Sequence, residues 1–242
     1  MSFEVTSSGA AAEHAPSPGA AAAAPNAEVT PALRLQILST EHWSLLASRS
    51  LAWNEAFSRA GMFLSMLSGA IVALALVAQA TDFGEGFGSF ALVILPVVLF
   101  VGIATYIRLG ESNSHDATCV VGMNRIRGAY LELAPELARY FVMSPHDDAR
   151  GVGVTMVIDP RASLLLHGFV ATASVIGVVN SVIVAAIGAV VALQLGHVTA
   201  IALGVGVVAF AVSIALHIEY GRRSRQRGMS GLRPIFPTPD PE

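Results

Sequence analysis

The sequence contains no lysine: all 14 basic side chains are arginine. Charge of either sign is scarce, at 13% of 242 residues, where a soluble domain carries about a quarter. Hydrophobic residues make up 54% and the mean hydropathy is +0.63, which points to lipid as part of the solvent. A single cysteine, Cys119, excludes an intramolecular disulfide and any multi-cysteine zinc or iron–sulfur site. The net charge of -3 lacks the basic excess of a nucleic-acid binder, so no nucleic-acid partner is expected. Exclusive use of arginine, with abundant Ala, Gly and Val, suggests a GC-rich bacterial genome. No basic start leads directly into an apolar stretch, so no secretory signal is expected.

Long apolar runs are what the sequence does have. "GMFLSMLSGAIVALALVAQA", residues 61–80, carries no charge and meets the roughly 20 residues needed to cross about 30 Å of hydrocarbon. Residues 87–107 do the same, 164–195 give one long span, and 199–217 give a fourth near the minimum. Asp159 and Pro160 are the expected cap and first residue of the third helix. The loops "TDFGEG" and "QLGHV" contain no arginine, whereas every arginine flanks the other ends of the spans. Positive flanks stay cytoplasmic. The expected fold is therefore all-α, a polytopic membrane protein with four transmembrane helices as two hairpins with short cytoplasmic helices. It is expected in the bacterial cytoplasmic (inner) membrane with both termini cytoplasmic.

The remaining segments divide accordingly. Residues 1–30, rich in Ala and Pro, are expected to be a disordered tail. Residues 31–60 read as a cytoplasmic or interfacial helix, capped by Ser39 or Thr40, with Glu41 in its first turn and an i,i+4 pair at Glu55 and Arg59. That helix either docks on the lipid surface or continues into the first hairpin, 61–107. Residues 108–162 suggest two short helices, one with Cys119, Met123, Ile126 and Tyr130 on one face, the other starting at Pro135 and closed by a turn at "SPHDD". The second hairpin occupies 163–218, and 219–242 form a basic, proline-containing tail.

Small residues recur every four positions at Gly61, Ser65, Gly69 and Ala73, and again at Ala173 and Gly177, giving faces suited to close helix packing within one bundle or between subunits. Gly204 and Gly206 thin the fourth span. Pro96 is expected to kink the second. Asn180 is the one strongly polar side chain near the middle of a span, read as interhelical glue before any ligand role. His167, His197 and His217 are placed at helix ends. Arg222, Arg223, Arg225 and Arg227 form a juxtamembrane cluster that anchors topology and attracts anionic headgroups.

Chemistry is harder to find. Glu111, His115 and Cys119 are spaced to share a helical face, yet no HExxH or paired-cysteine spacing accompanies them, so no metal and no cofactor is expected. No acidic or arginine side chain lies deep in a span, which argues against ion-coupled transport. No catalytic set can be singled out. The expected role is that of a non-enzymatic scaffold, sensor or accessory subunit, with an oligomeric pore or small effector as the alternative. Its expected partners are the lipid bilayer and either a second copy or another membrane protein. In outline the first half, helix–span–span–helix over roughly 39–143, resembles the paired-span effector domains called SLATT in bacterial conflict systems; the resemblance is one of layout and implies the effector reading.

Overall fold

The computed structural model describes residues 29–156, 172–229 and 233–240. Among them the chain is all-helical, with four helices long and apolar enough to cross a membrane. These are α1 (Pro31–Thr81), α2 (Glu85–Leu133), α4 (Thr172–Gln194) and α5 (Thr199–Met229). A 3-10 turn (Pro135–Tyr140) and a short α3 (Ala149–Thr155) lie between α2 and α4. The expected cap at Asp159 and Pro160, His167, and all but Val29 and Thr30 of the 1–30 tail lie outside the described residues.

The first two helices are far longer than their apolar runs. α1 has 51 residues and α2 has 49, so each extends about 75 Å, more than twice the hydrocarbon thickness. The composition changes from apolar to polar near residues 60 and 108 without a break in the helix, because no Pro or Gly-rich stop interrupts either boundary. One expectation is corrected here and one alternative is decided. Residues 109–133 belong to α2 and are not a separate short helix. Of the two readings left open for residues 31–60, the structure has the helix continuing into the first apolar run.

The start of α1 also moves. Thr30, with Pro31 following it, caps the helix by accepting from the Leu33 amide at 3.2 Å. Ser39 and Glu41 are interior positions, and the Thr40 hydroxyl donates back to the Gln36 carbonyl at 2.9 Å. At the other end Asp82 adopts φ 46°, the left-handed C-cap, and its amide donates to Ala78. Gly196, at φ 80°, makes the corresponding bend between α4 and α5. Pro96 lies inside α2 on an exposed face, where its missing N–H leaves the Leu92 carbonyl without its helical donor while the helix continues through it.

Packing comes from Phe63 on α1, Ala91, Leu95 and Val98 on α2, and Ile176 and Ile183 on α4, all buried in one cluster. Gly88 leaves room for the Gln194 side chain, and Tyr106 meets His217 with ring centroids 4.6 Å apart. Those two contacts place the starts of α2 and of α5 towards one end and the far ends of their apolar runs towards the other. Gly206 approaches the Ala185 backbone so closely that an added Cβ would lie 3.2 Å from its carbonyl, and Gly188 lies against Ala209 in the same way at 3.3 Å. Small residues thus set the α4–α5 spacing, as in membrane helix pairs generally.

Candidate functional site

Three polar constellations stand out. The first is a buried knot inside the apolar region, built around Asn180. Its side chain is fully buried, and Nδ2 lies 3.5 Å from His217 Nε2. Ser181 donates to the Gly177 carbonyl at 2.8 Å and its Oγ lies 3.1 Å from Ser213 Oγ, while the Tyr106 hydroxyl donates to the His217 carbonyl at 2.6 Å. His217 Nδ1 lies 2.8 Å from the Ser213 carbonyl. Three helices are therefore tied by one group of side chains, which satisfies polar atoms that lipid would leave unpaired.

His217 is not at a helix end: α5 runs twelve residues beyond it, to Met229. The i,i+4 pair Ser213 and His217 was the signal in the sequence that could have joined them to Asn180. Asn180 Oδ1 has no hydrogen-bond partner among the described residues and points at the α2 backbone, where a Cβ on Gly102 would lie 2.0 Å from it. Gly102 is thus a close-approach position of α2 on α4, as Gly88 is against Gln194. Beside the knot, a groove of about 1020 Å³ opens outward between α2 and α5, lined largely by Ile103, Val205, Val208 and Val212. Its apolar walls suit hydrocarbon.

The predicted packing residues divide into two groups. Gly177 is buried against Tyr106 and His217, and Ala173 packs on the main core. Gly61 and Gly69 have nothing within 4 Å of an added Cβ, and Ser65 is exposed; Ala73 is half-buried. The first face therefore looks outward from this chain.

The second constellation fixes α1 on α2 beyond the apolar runs. Asp116, 3% exposed at its side chain, accepts from Arg49 Nε and from Trp53 Nε1, the latter at 3.0 Å. Ser48 lies 2.9 Å from His115 Nε2, and Cys119 Sγ is 3.6 Å from the same nitrogen. Burial, then the Asp116 carboxylate, raises the Cys119 thiol pKa, so the thiol is a poor nucleophile. Glu55 binds Arg59 at 2.9 Å, and Arg108 bridges Glu55 at 3.1 Å and Glu111 at 2.9 Å. Glu111, His115 and Cys119 do not converge on a common point, and no group of three metal-type side chains does so among the described residues.

The third lies at the far end of α2. Ser144 and Asp148 make the expected turn and cap: the His146 amide donates to Ser144 Oγ at 3.0 Å and the Gly151 amide to Asp148 Oδ1 at 2.8 Å. The fully buried Asn124 donates to the His146 carbonyl at 2.7 Å and accepts from Arg127 and Thr155. Residues 233–240 return to this corner. The Ile235 and Phe236 amides donate to Asp147 at 3.0 and 2.8 Å, and Arg125 pairs with the same carboxylate.

Burial alone would raise the Asp147 pKa, but bonds from the Ile235 amide, Arg125 and the Phe236 amide outweigh it and hold the carboxyl below its ordinary value. A depressed carboxyl stabilises the docked form above the unfolded value and loses that contribution as pH falls through the folded one. Residues 233–240 are expected to stay docked at neutral pH and to detach as pH drops below about 4. Amide chemical shifts of Ile235 and Phe236 followed by NMR across that range check this; shifts that hold steady throughout would refute it.

No protein-family model, curated protein or solved structure matches the chain. The likeness of layout to paired-span effectors therefore carries no argument, and the chemistry of the residues carries the reading. On α5, Arg222 and Arg223 both pair with Glu219, at 2.9 and 2.6 Å, so part of their charge is neutralised locally. The side chains of Arg225 and Arg227 lie outside the described residues.

Proposed function

We propose that this protein is a non-enzymatic membrane scaffold: a four-span anchor, two hairpins with both ends in the cytoplasm, carrying a rigid helical stalk that binds a partner. The stalk comprises α1 before Ala60 together with α2 after Arg108. The observation that carries the reading is the outer face of α1. Leu35, Trp43, Leu46, Trp53 and Phe57 are all exposed, and at 3.6 residues per turn they fall within an arc of roughly 80°. Trp43, 67% exposed, lies about 26 Å along the helix from Ala60, beyond the reach of lipid around an upright span. An aromatic stripe on a helix locked by the Arg49–Asp116–Trp53 contacts is a pre-organised contact surface.

The arginine-free loops at residues 82–86 and 195–198, against arginines on every other flank, support the orientation and a bacterial inner membrane. The outward face of Gly61, Ser65 and Gly69 supports lateral association with a second copy or another membrane protein. Burial of Asn180, Ser181 and Ser213 among one another favours a packed bundle over a water path through one chain. Arg222 and Arg223 suit anionic headgroups at the cytoplasmic boundary.

The test is native mass spectrometry of protein extracted directly into lipid nanodiscs. The wild type is expected to carry the mass of a second copy or another protein, and Trp43→Glu to lose it while keeping its stability within about 0.5 kcal/mol. A wild type that runs as a bare chain contradicts the reading.

A further inference from the structure

Residues 233–240, "RPIFPTPD", lie across the end of α2 as a strap that bends at Ile235 and Phe236, with no helix or strand of their own. Prolines at 234, 237 and 239 remove three backbone donors, leaving Ile235, Phe236 and Thr238 as the only amides between the first and last of them. All three are taken by two neighbouring carboxylates. Ile235 and Phe236 donate to Asp147, and Thr238 donates to Asp148 Oδ2 at 2.9 Å, with its hydroxyl on Oδ1 at 2.7 Å. The Asp147 amide in turn donates to the Phe236 carbonyl at 3.1 Å, and Arg125 Nη2 to the Arg233 carbonyl at 2.6 Å. The Phe236 ring fills the place of a missing side chain, since a Cβ on Gly128 would meet it at 2.7 Å.

This is how proteins read short peptides: backbone donors and acceptors are matched one by one, and an aromatic anchor enters a space left by glycine. The Asp147 side chain is fully buried beneath the strap. A carboxylate held there needs donors, and the proline spacing of the strap supplies them where Asp147 and Asp148 can accept them. Proline also limits the strap's freedom before it docks, which lowers the entropy lost on binding.

We infer that the surface of Arg125, Gly128, Asp147 and Asp148 is a peptide-binding site for a bent, proline-spaced segment with an aromatic anchor. Residues 233–240 are its resident ligand in cis, and the same segment presented by a second copy of the chain is its ligand in trans. The inference is independent of the Trp43 stripe. A ligand held in cis acts at an effective concentration of about millimolar, so the intact chain resists exchange until its own strap is loosened.

The test uses a fluorescent synthetic peptide, LRPIFPTPDPE, and the full-length chain in nanodiscs, read by anisotropy. A chain carrying Phe236→Ala, whose own strap is weakened, is expected to bind the peptide at least about tenfold more tightly than the wild type. Adding Asp147→Ala to that chain, or placing Phe236→Ala in the peptide, is expected to weaken binding by at least about tenfold. A helical Phe236→Ala chain that binds no better than the wild type overturns the inference, as does a peptide that binds equally well without its phenylalanine. The unmodified chain gives a second readout if the variant fails to fold. Free peptide at concentrations several-fold above the millimolar effective concentration of the strap is expected to raise deuterium uptake at the Ile235, Phe236 and Thr238 amides; unchanged uptake at those concentrations overturns the inference.

Discussion

Asp116→Ala is expected to lower stability by about 3 kcal/mol. Asp116 is buried between α1 and α2, and it is the shared acceptor for Arg49 and the Trp53 indole. Removing it leaves a part-buried N–H on Trp53 without its partner and an arginine, 29% exposed, whose charge is only partly hydrated. An unmet donor costs about 1–3 kcal/mol, and breaking a buried ion pair from one side costs about 3–5. The partial exposure of Arg49 and of the Trp53 ring discounts both costs, which brings the total down to the bottom of the ion-pair range, about 3 kcal/mol. Unfolding in mixed detergent–SDS micelles, followed by fluorescence, measures it. Glu55→Ala, which removes an exposed acceptor from Arg59 and Arg108, is the control and is expected to cost far less. Equal losses from the two variants would mean that the buried carboxylate does not tie the stalk together.

Gly102→Ala is expected to cost about 3 kcal/mol although it adds one methyl group. That methyl would lie 2.0 Å from Asn180 Oδ1 and 2.8 Å from the Phe63 ring, and neither neighbour has room to yield because both are fully buried. Relief requires α2 to move off α4, which also strains the Asn180–His217 and Tyr106–His217 contacts. Gly69→Ala adds the same methyl where nothing lies within 4 Å, and alanine favours the helix, so the single chain should lose no stability. The same unfolding assay compares them. A Gly102→Ala chain as stable as Gly69→Ala would show that the helices do not approach closely at this point.

Much of the fold is legible in the residues because lipid imposes a simple rule: a helix must be apolar for about 20 residues. The four apolar helices follow from that rule. The lengths of α1 and α2 do not, because leaving the membrane changes the side chains a helix prefers without ending the helix. Arg108 therefore reads as a boundary although it sits in the middle of α2, tied to Glu55 and Glu111. Ser39 and Thr40 have the composition of caps, yet Thr30 and Pro31 start the helix a further two turns earlier. Asn180 stands out as a lone amide in an apolar run. Its neighbours Ser213 and His217 do not, since a histidine next to the arginine-rich end of a span resembles an ordinary interfacial residue. The strap was invisible for a different reason. Pairing Asp147 with Ile235 and Phe236 spans nearly ninety residues, and no local pattern encodes a contact between segments so far apart.

The central claim is that the stalk of α1 meets a protein in the cytoplasm through its aromatic stripe. The most direct measurement is photo-cross-linking in intact cells from a reactive amino acid placed at Trp43, with Ile71, an exposed side chain inside the first apolar run, as the comparison. The account predicts a discrete protein adduct from position 43, made on the cytoplasmic side and lost when Leu46→Glu is added. Lipid adducts are expected to predominate at position 71. A probe at 43 that yields no protein adduct, or that an impermeant reagent reaches from outside the cell, would contradict it.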